Sequence, residues 1–245
     1  SIARGDARGI PVLVGSNADE MKLAALESFP LAPRILRARE LRDRVTTLLG
    51  SDIDLADRAI ALYQGRATES RRSTNDIYDA IATDLHFRVP AVRLADAHAR
   101  HEPRTYRYVL SWPSPQFGPI VGTPHAIEIP LVFATYRAPP MPFFLGSRPS
   151  LGAMAETMQD TWISFARTGN PSTNATGAWP QHAPGERIRM TLGESCRPEI
   201  DLTSEDLAFW HDAFLRLRPV AGVDVPRAAR PTSRISTLFP AVLER

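Results

Sequence analysis

Residues 10–20 read Ile-Pro-Val-Leu-Val-Gly-Ser-Asn-Ala-Asp-Glu: an apolar run closed by Gly15 and followed at once by polar and acidic side chains. A short continuous apolar stretch ending at a turn residue is the pattern of a strand covered on both faces, as in a parallel sheet. The C-terminal end of such a strand opens onto a crevice, which is where α/β proteins place their chemistry. Asp19 and Glu20 stand at that end.

The surrounding sequence alternates helical and extended patterns. Residues 38–66 predict two amphipathic helices split near Gly50-Ser51, and 73–101 predict another pair. Ser73-Thr-Asn75 offers caps, and Ile77, Ile81 and Leu85 recur at helical spacing. Pro90 cannot lie deep inside a helix, so it should start a new one. Over 105–112, Tyr106, Tyr108, Leu110 and Trp112 alternate with Thr105, Arg107, Val109 and Ser111, which predicts a strand with one wetter face. Leu151, Ala155, Met158, Trp162 and Phe165 mark a helix that Gly169-Asn-Pro171 stops. Ile188, Met190 and Leu192 predict a short late strand. Thr203-Ser-Glu-Asp206 reads as a capping box opening a helix with Leu207, Trp210, Phe214 and Leu217 inward. Residues 222–245, rich in Pro, Arg and Ala, read as a loosely packed tail after a unit spanning 1–221. The class is α/β, but about three strands are few for an independent sheet.

Composition excludes several alternatives. The chain has 245 residues, 43% hydrophobic and 23% charged, which is ordinary for a globular protein. No stretch approaches the roughly 20 consecutive apolar residues of a membrane-spanning helix. Lys+Arg is 29 against Asp+Glu 27, a net charge of +2, with Lys22 the only lysine. The arginines are scattered, so no nucleic-acid footprint is expected. The lone Cys196 permits neither an internal disulfide nor a cysteine-based zinc site. No signal peptide is visible from Ser1 onward, any leader would lie upstream of Ser1, and localisation, cytoplasmic or secreted, stays open.

Six histidines are the candidates for proton transfer: His86, His98, His101, His125, His182 and His211. His98 and His101 are three apart, but nothing is spaced to complete a metal set, so no metal or other cofactor is expected. His86 and His211 fall in helical patterns, and His182 should be exposed in a Pro-rich loop. His125 lies in Gly122-Thr-Pro-His-Ala-Ile-Glu128, a loop running into Ile-Pro-Leu-Val-Phe133. A loop histidine suits a general base, provided a carboxylate holds its second ring nitrogen. Asp19 and Glu20 are the best candidates for that carboxylate.

Several segments, in order over roughly 9–215, resemble the type B carboxylesterases, the carboxylesterase/cholinesterase group of α/β-hydrolases. They are Ile10–Glu20, the His125 loop with its Glu-Ile-Pro-Leu-Val-Phe continuation, Thr83-Asp-Leu-His-Phe-Arg-Val-Pro-Ala91 with Arg93-Leu-Ala95, Tyr106–Pro113, and Trp162–Pro171 followed by Trp179-Pro180. The resemblance implies the C-terminal part of an α/β-hydrolase fold, incomplete without an N-terminal half. It implies that Glu20 is the acid and His125 the base of a Ser-Glu-His triad acting on a small-molecule ester. Asp19 would be a structural neighbour bonding the loop, and Glu128 would orient that loop or pair with an arginine. Phe143, Phe144 and Leu145 are candidates for an apolar pocket.

The chain contains no Gly-x-Ser-x-Gly turn of the kind that presents a nucleophilic serine. The nearest segment, Gly193-Glu-Ser-Cys-Arg197, lacks the second small residue and should be a turn beside the late strand. The serine and the oxyanion hole are therefore expected outside this chain, in an N-terminal half of the same enzyme. The 245 residues alone should be inactive. A different class of reading is a non-catalytic, esterase-like binding or adhesion module, or a degenerate fragment.

Overall fold

The computed structural model describes residues 1–22, 36–66, 73–115 and 118–217. The opening apolar run forms β1 (Val12–Asn17), which pairs in parallel with β2 (Thr105–Leu110), Val12 opposite Thr105 and Asn17 opposite Leu110. β2 pairs in parallel with β3 (Ile188–Leu192), and β3 pairs antiparallel with β4 (Arg197–Ile200). The strand order is β1-β2-β3-β4. β4 adds to the three strands expected from the sequence. Its Arg-Pro-Glu-Ile has no apolar alternation, and Pro198 removes a ladder donor, which only an edge strand tolerates.

The expected wetter face of β2 is not found. Thr105, Arg107 and Val109 are buried as fully as Tyr106 and Leu110. Arg107 can lie inside because its guanidinium pairs with the buried Asp201, which also accepts from Arg189 Nε at 3.0 Å. A buried charge is tolerated when it is paired in this way. His98 closes the same face, its Nδ1 lying 2.7 Å from Thr105 Oγ1.

Two helices, α1 (Ala38–Leu48) and α2 (Ile53–Gly65), are separated where Gly50 and Ser51 both adopt left-handed φ values of 69° and 68°. Asp52 then caps α2 by accepting from the Leu55 N–H at 3.0 Å. Ser73 and Asp76 form a capping box that opens α3 (Thr74–Thr83). Pro90 does begin a new α-helical segment, α4 (Val89–Ala99), but with no interruption before it. A π-helical turn over Asp84–Arg88 joins α3 to α4, the Val89 N–H reaching back to the Asp84 carbonyl. That wider turn accommodates the donor Pro90 lacks.

Three short helices follow: α5 (Gly118–Val121), α6 (Ile129–Val132) and α7 (Met141–Leu145). The long α8 (Ser150–Thr168) ends at Gly169, left-handed at φ 73°, whose N–H bonds the Phe165 carbonyl. The Thr203/Asp206 capping box opens α9 (Ser204–Arg216). The expected tail, 222–245, lies outside the described residues.

Two cores result. One joins α1–α4 and α9 through Leu41, Val45, Tyr63, Ile81 and Trp210. The other sits between the sheet and α8, where Tyr106, Leu110, Met190 and Leu192 meet Met154 and Met158. Tyr108 packs edge-on against Trp162 at 5.2 Å. Helix α4 lies against β1 and β2, and His98 reaches the sheet face opposite that of Tyr108. The sheet thus carries helices on both faces. A buried polar cluster stitches the helices together. The Tyr63 hydroxyl meets Asp84, Arg66 bridges Asp84 and Asp206, and Trp210 Nε1 donates to the Tyr63 oxygen at 3.0 Å.

Candidate active site

β1 approaches its neighbour very closely near its end. A Cβ on Gly15 would lie 2.3 Å from the Tyr108 carbonyl oxygen, so only glycine fits there. The chain then folds back on itself. The Asn17 N–H donates to Glu20 Oε1 at 2.6 Å and fixes that carboxylate in a nearly closed position, 5% exposed.

Asp19 grips the histidine loop at two points. Its N–H donates to the Thr123 carbonyl at 3.0 Å, and its Oδ2 accepts from the Thr123 N–H at 2.9 Å. Gly122, at φ 57°, makes room: a Cβ there would lie 2.2 Å from Asp19 Oδ2. Lys22 Nζ, 3.1 Å from Asp19 Oδ1 and 3.5 Å from Asp76 Oδ1, ties the turn to α3.

This clamp presents His125 to Glu20, with Nδ1 2.7 Å from Glu20 Oε2 across 105 positions of sequence. An ionised carboxylate only accepts, so Nδ1 carries the proton and the neutral ring's Nε2 is left as a base. The His125 side chain is 60% exposed, and the Phe87 ring packs against it with centroids 5.1 Å apart. Ala126, next in sequence, is left-handed at φ 64°. Such a conformation costs a non-glycine residue about 1–3 kcal/mol and persists where surrounding contacts impose it.

Burial pushes the Glu20 carboxyl above the ordinary value for a glutamate, against the opposing hydrogen bonds from Asn17 and His125. The neighbouring Glu128 carboxylate pushes it the same way. Among the described residues Glu128 pairs with no arginine; it accepts from Asn17 Nδ2 at 2.5 Å. Burial, with Glu128 and Glu20 nearby, also raises Tyr108.

The remaining sequence candidates lie apart from this pair. The Thr105 hydroxyl donates to the Glu102 carbonyl, so His98 donates to Thr105, while His101 Nε2 meets the Ala3 carbonyl at 3.1 Å. No group of three or more His, Cys, Asp or Glu among the described residues could hold a metal ion. His182 is not exposed as expected: it is buried because its Nε2 bonds Asp96 at 2.8 Å and its N–H bonds the Thr105 carbonyl. Ser195 lies between β3 and β4 and accepts from Arg197 at 2.7 Å. Leu145 is wholly buried in the sheet core, whereas Phe143 is exposed and packs edge-on against Phe144. Sequence reasoning missed Asn17, Lys22 and Phe87. Only Asn17 carried a signal, its place at the polar end of a buried strand.

Comparison with known proteins gives a consistent result. The profile of the Carboxylesterase family matches residues 1–210. The para-nitrobenzyl esterase of Bacillus subtilis is 32% identical over 206 residues, covering 84% of this chain and 38% of its own. The liver carboxylesterase of Sus scrofa is 26% identical over 223 residues, covering 86% and 38% respectively. Among solved structures, a Geobacillus stearothermophilus carboxylesterase superposes with TM-score 0.69 at 29% identity, covering 85% of this chain and 42% of its own. The chain therefore spans about two fifths of the length of these relatives, and its sheet and helices match part of their α/β-hydrolase fold.

Proposed function

Because the chain belongs to the carboxylesterase family, we propose that it carries the acid and base of a carboxylic ester hydrolase. Glu20 and His125 are two members of a Ser-Glu-His triad whose serine lies outside residues 1–245. The observation that carries this reading is the 2.7 Å contact between Glu20 Oε2 and His125 Nδ1, with the ring otherwise open to solvent.

The chemistry follows from that geometry. The serine oxygen attacks the ester carbonyl carbon while His125 Nε2 takes the hydroxyl proton. The tetrahedral intermediate collapses, the ester C–O bond breaks, and Nε2 returns the proton to the departing alcohol oxygen. Water then attacks the acyl-serine with the same proton relay, releasing the acid and restoring the serine. Glu20 keeps the reactive tautomer and stabilises the imidazolium formed twice per cycle.

With the nucleophilic serine outside them, and without oxyanion donors worth about 3–4 kcal/mol in such reactions, the 245 residues alone are inactive. The open edge of the sheet at β1 supports a further strand. Among the described residues nothing pairs with the outer edge of β1, although Val12, Leu13 and Val14 are apolar and only half-buried. An unpaired apolar edge invites another strand. An N-terminal segment of the same enzyme, covalently joined or associated, supplies that strand, the serine and the oxyanion hole.

The test is hydrolysis of short p-nitrophenyl esters by the protein expressed from its full reading frame, beside His125→Ala. Activity that falls by about 10³-fold or more in the variant supports the reading. An inert wild-type protein would refute it and favour a non-catalytic binding role.

A further inference from the structure

Asn17 touches both halves of the proposed acid–base pair. Its backbone N–H donates to Glu20 Oε1 at 2.6 Å. Its side-chain Nδ2 donates to the Pro124 carbonyl at 3.0 Å and to Glu128 Oε2 at 2.5 Å, bracketing His125 from the residue before it and from three residues after. Both side-chain partners are pure acceptors, so the amide nitrogen must face them and the orientation of the group is fixed by chemistry. Asn17 is 1% exposed, and among the described residues its Oδ1 is buried without a hydrogen-bond donor. Leaving a buried acceptor unmet is unfavourable. The side chain therefore sits where its two donor bonds are needed, even though its oxygen gains nothing.

From this geometry we propose that Asn17 is the positioning residue of the site. It holds the Glu20 carboxylate with its main chain and the His125 loop with its side chain, and it keeps the Glu20 and Glu128 carboxylates apart by donating to each. This rests on the reading of Glu20 and His125 as acid and base. Glutamine would overreach, and an apolar side chain of the same size would leave Pro124 and Glu128 unpaired. Aspartate would set a third carboxylate against two.

The test is proton–nitrogen NMR of the protein labelled with ¹⁵N-histidine, observing the hydrogen-bonded His125 Nδ1–H, assigned by its loss in His125→Gln. The buried His182–Asp96 bond gives an independent reporter of folding in the same spectra. In Asn17→Leu the His125 signal should vanish into exchange with water while the His182 signal stays. In Asn17→Asp it should be absent at pH 8 and return in part near pH 5, where a protonated carboxyl can donate one of the lost bonds. Acidification slows exchange of any imidazole N–H, so the rescue is read against Asn17→Leu at the same pH, where a packing role alone predicts equal recovery. If Asn17→Leu loses both signals, Asn17→Asp decides: recovery of the His125 signal on acidification supports the assignment, and no recovery overturns it. An unchanged His125 signal in either variant at pH 8 would also overturn it. A wild-type protein lacking that signal would instead overturn the Glu20–His125 pairing itself, and the role of Asn17 with it.

Discussion

Replacing Glu20 by glutamine keeps the shape of the side chain and removes its charge. In the native protein the carboxylate is 2.7 Å from His125 Nδ1 and nearly closed to solvent, while the imidazole is 60% exposed. Water at the ring argues for an effective dielectric near 20, at which unit charges about 4 Å apart interact by about 4 kcal/mol. That interaction exists only when the imidazolium forms, so it stabilises the transition state and not the bound ester. Its loss corresponds to about 10³-fold in kcat, and a glutamine N–H turned toward Nδ1 would select the wrong tautomer and extend the loss toward about 10⁴-fold. KM should barely change, since Glu20 has no proposed contact with substrate. Stability should move the other way. Burial raises the Glu20 carboxyl from its ordinary 4.5, so the native state holds that proton more tightly than the unfolded chain. The associated stability is present at low pH and lost as pH rises, and at pH 8 the ionised carboxylate is a cost that glutamine removes. The assay is p-nitrophenyl ester hydrolysis beside thermal melting at pH 8. A variant retaining more than a tenth of kcat, or melting several degrees lower, would refute the reasoning.

Two further outcomes follow from the surroundings of the site. Asp79 is buried, its Oδ1 has no hydrogen-bond partner among the described residues, and burial pushes its carboxyl from 3.8 up to about 7. Its contribution to stability is therefore full below the unfolded value and lost as pH rises through about 7, a swing of about 2–4 kcal/mol. Melting curves from pH 4 to 9 should fall more steeply between about pH 4 and 7 for the wild type than for Asp79→Asn and run parallel above that window; curves parallel throughout would contradict this. Gly122→Ala would place a Cβ 2.2 Å from Asp19 Oδ2 in a left-handed conformation. It should cost about 1–3 kcal/mol and depress kcat by displacing the His125 loop, whereas unchanged melting and activity would show that the Asp19–Thr123 clamp does not set the loop.

Much of the fold was legible because local rules and packing agree. The run at 10–16, the left-handed break at Gly50-Ser51, the stop at Gly169 and the Thr203 capping box each specify their element within a few residues. Failures came where distant partners override local pattern. Arg107 looked like a wet-face residue because nothing nearby in sequence announces Asp201, 94 positions on, which pairs with it. His182 looked exposed because Asp96, which holds it inside, is 86 positions earlier. β4 was invisible because its charges and Pro198 are tolerated only at a sheet edge. The end of the apolar strand narrowed the partner of His125 to Asp19 or Glu20, and the choice of Glu20 came only through family resemblance, since no spacing rule joins residues 105 apart. Asn17 escaped notice because its amide acts through bonds to a loop that only the folded chain brings near.

Covalent labelling with a fluorophosphonate ester is the most direct test of the division of the triad between this chain and residues outside it. The protein expressed from its full reading frame would be treated, digested and mapped by mass spectrometry. One phosphonylated serine should appear outside residues 1–245, and His125→Ala should slow its labelling by orders of magnitude. Labelling of a serine within these 245 residues, or labelling indifferent to His125, would contradict it.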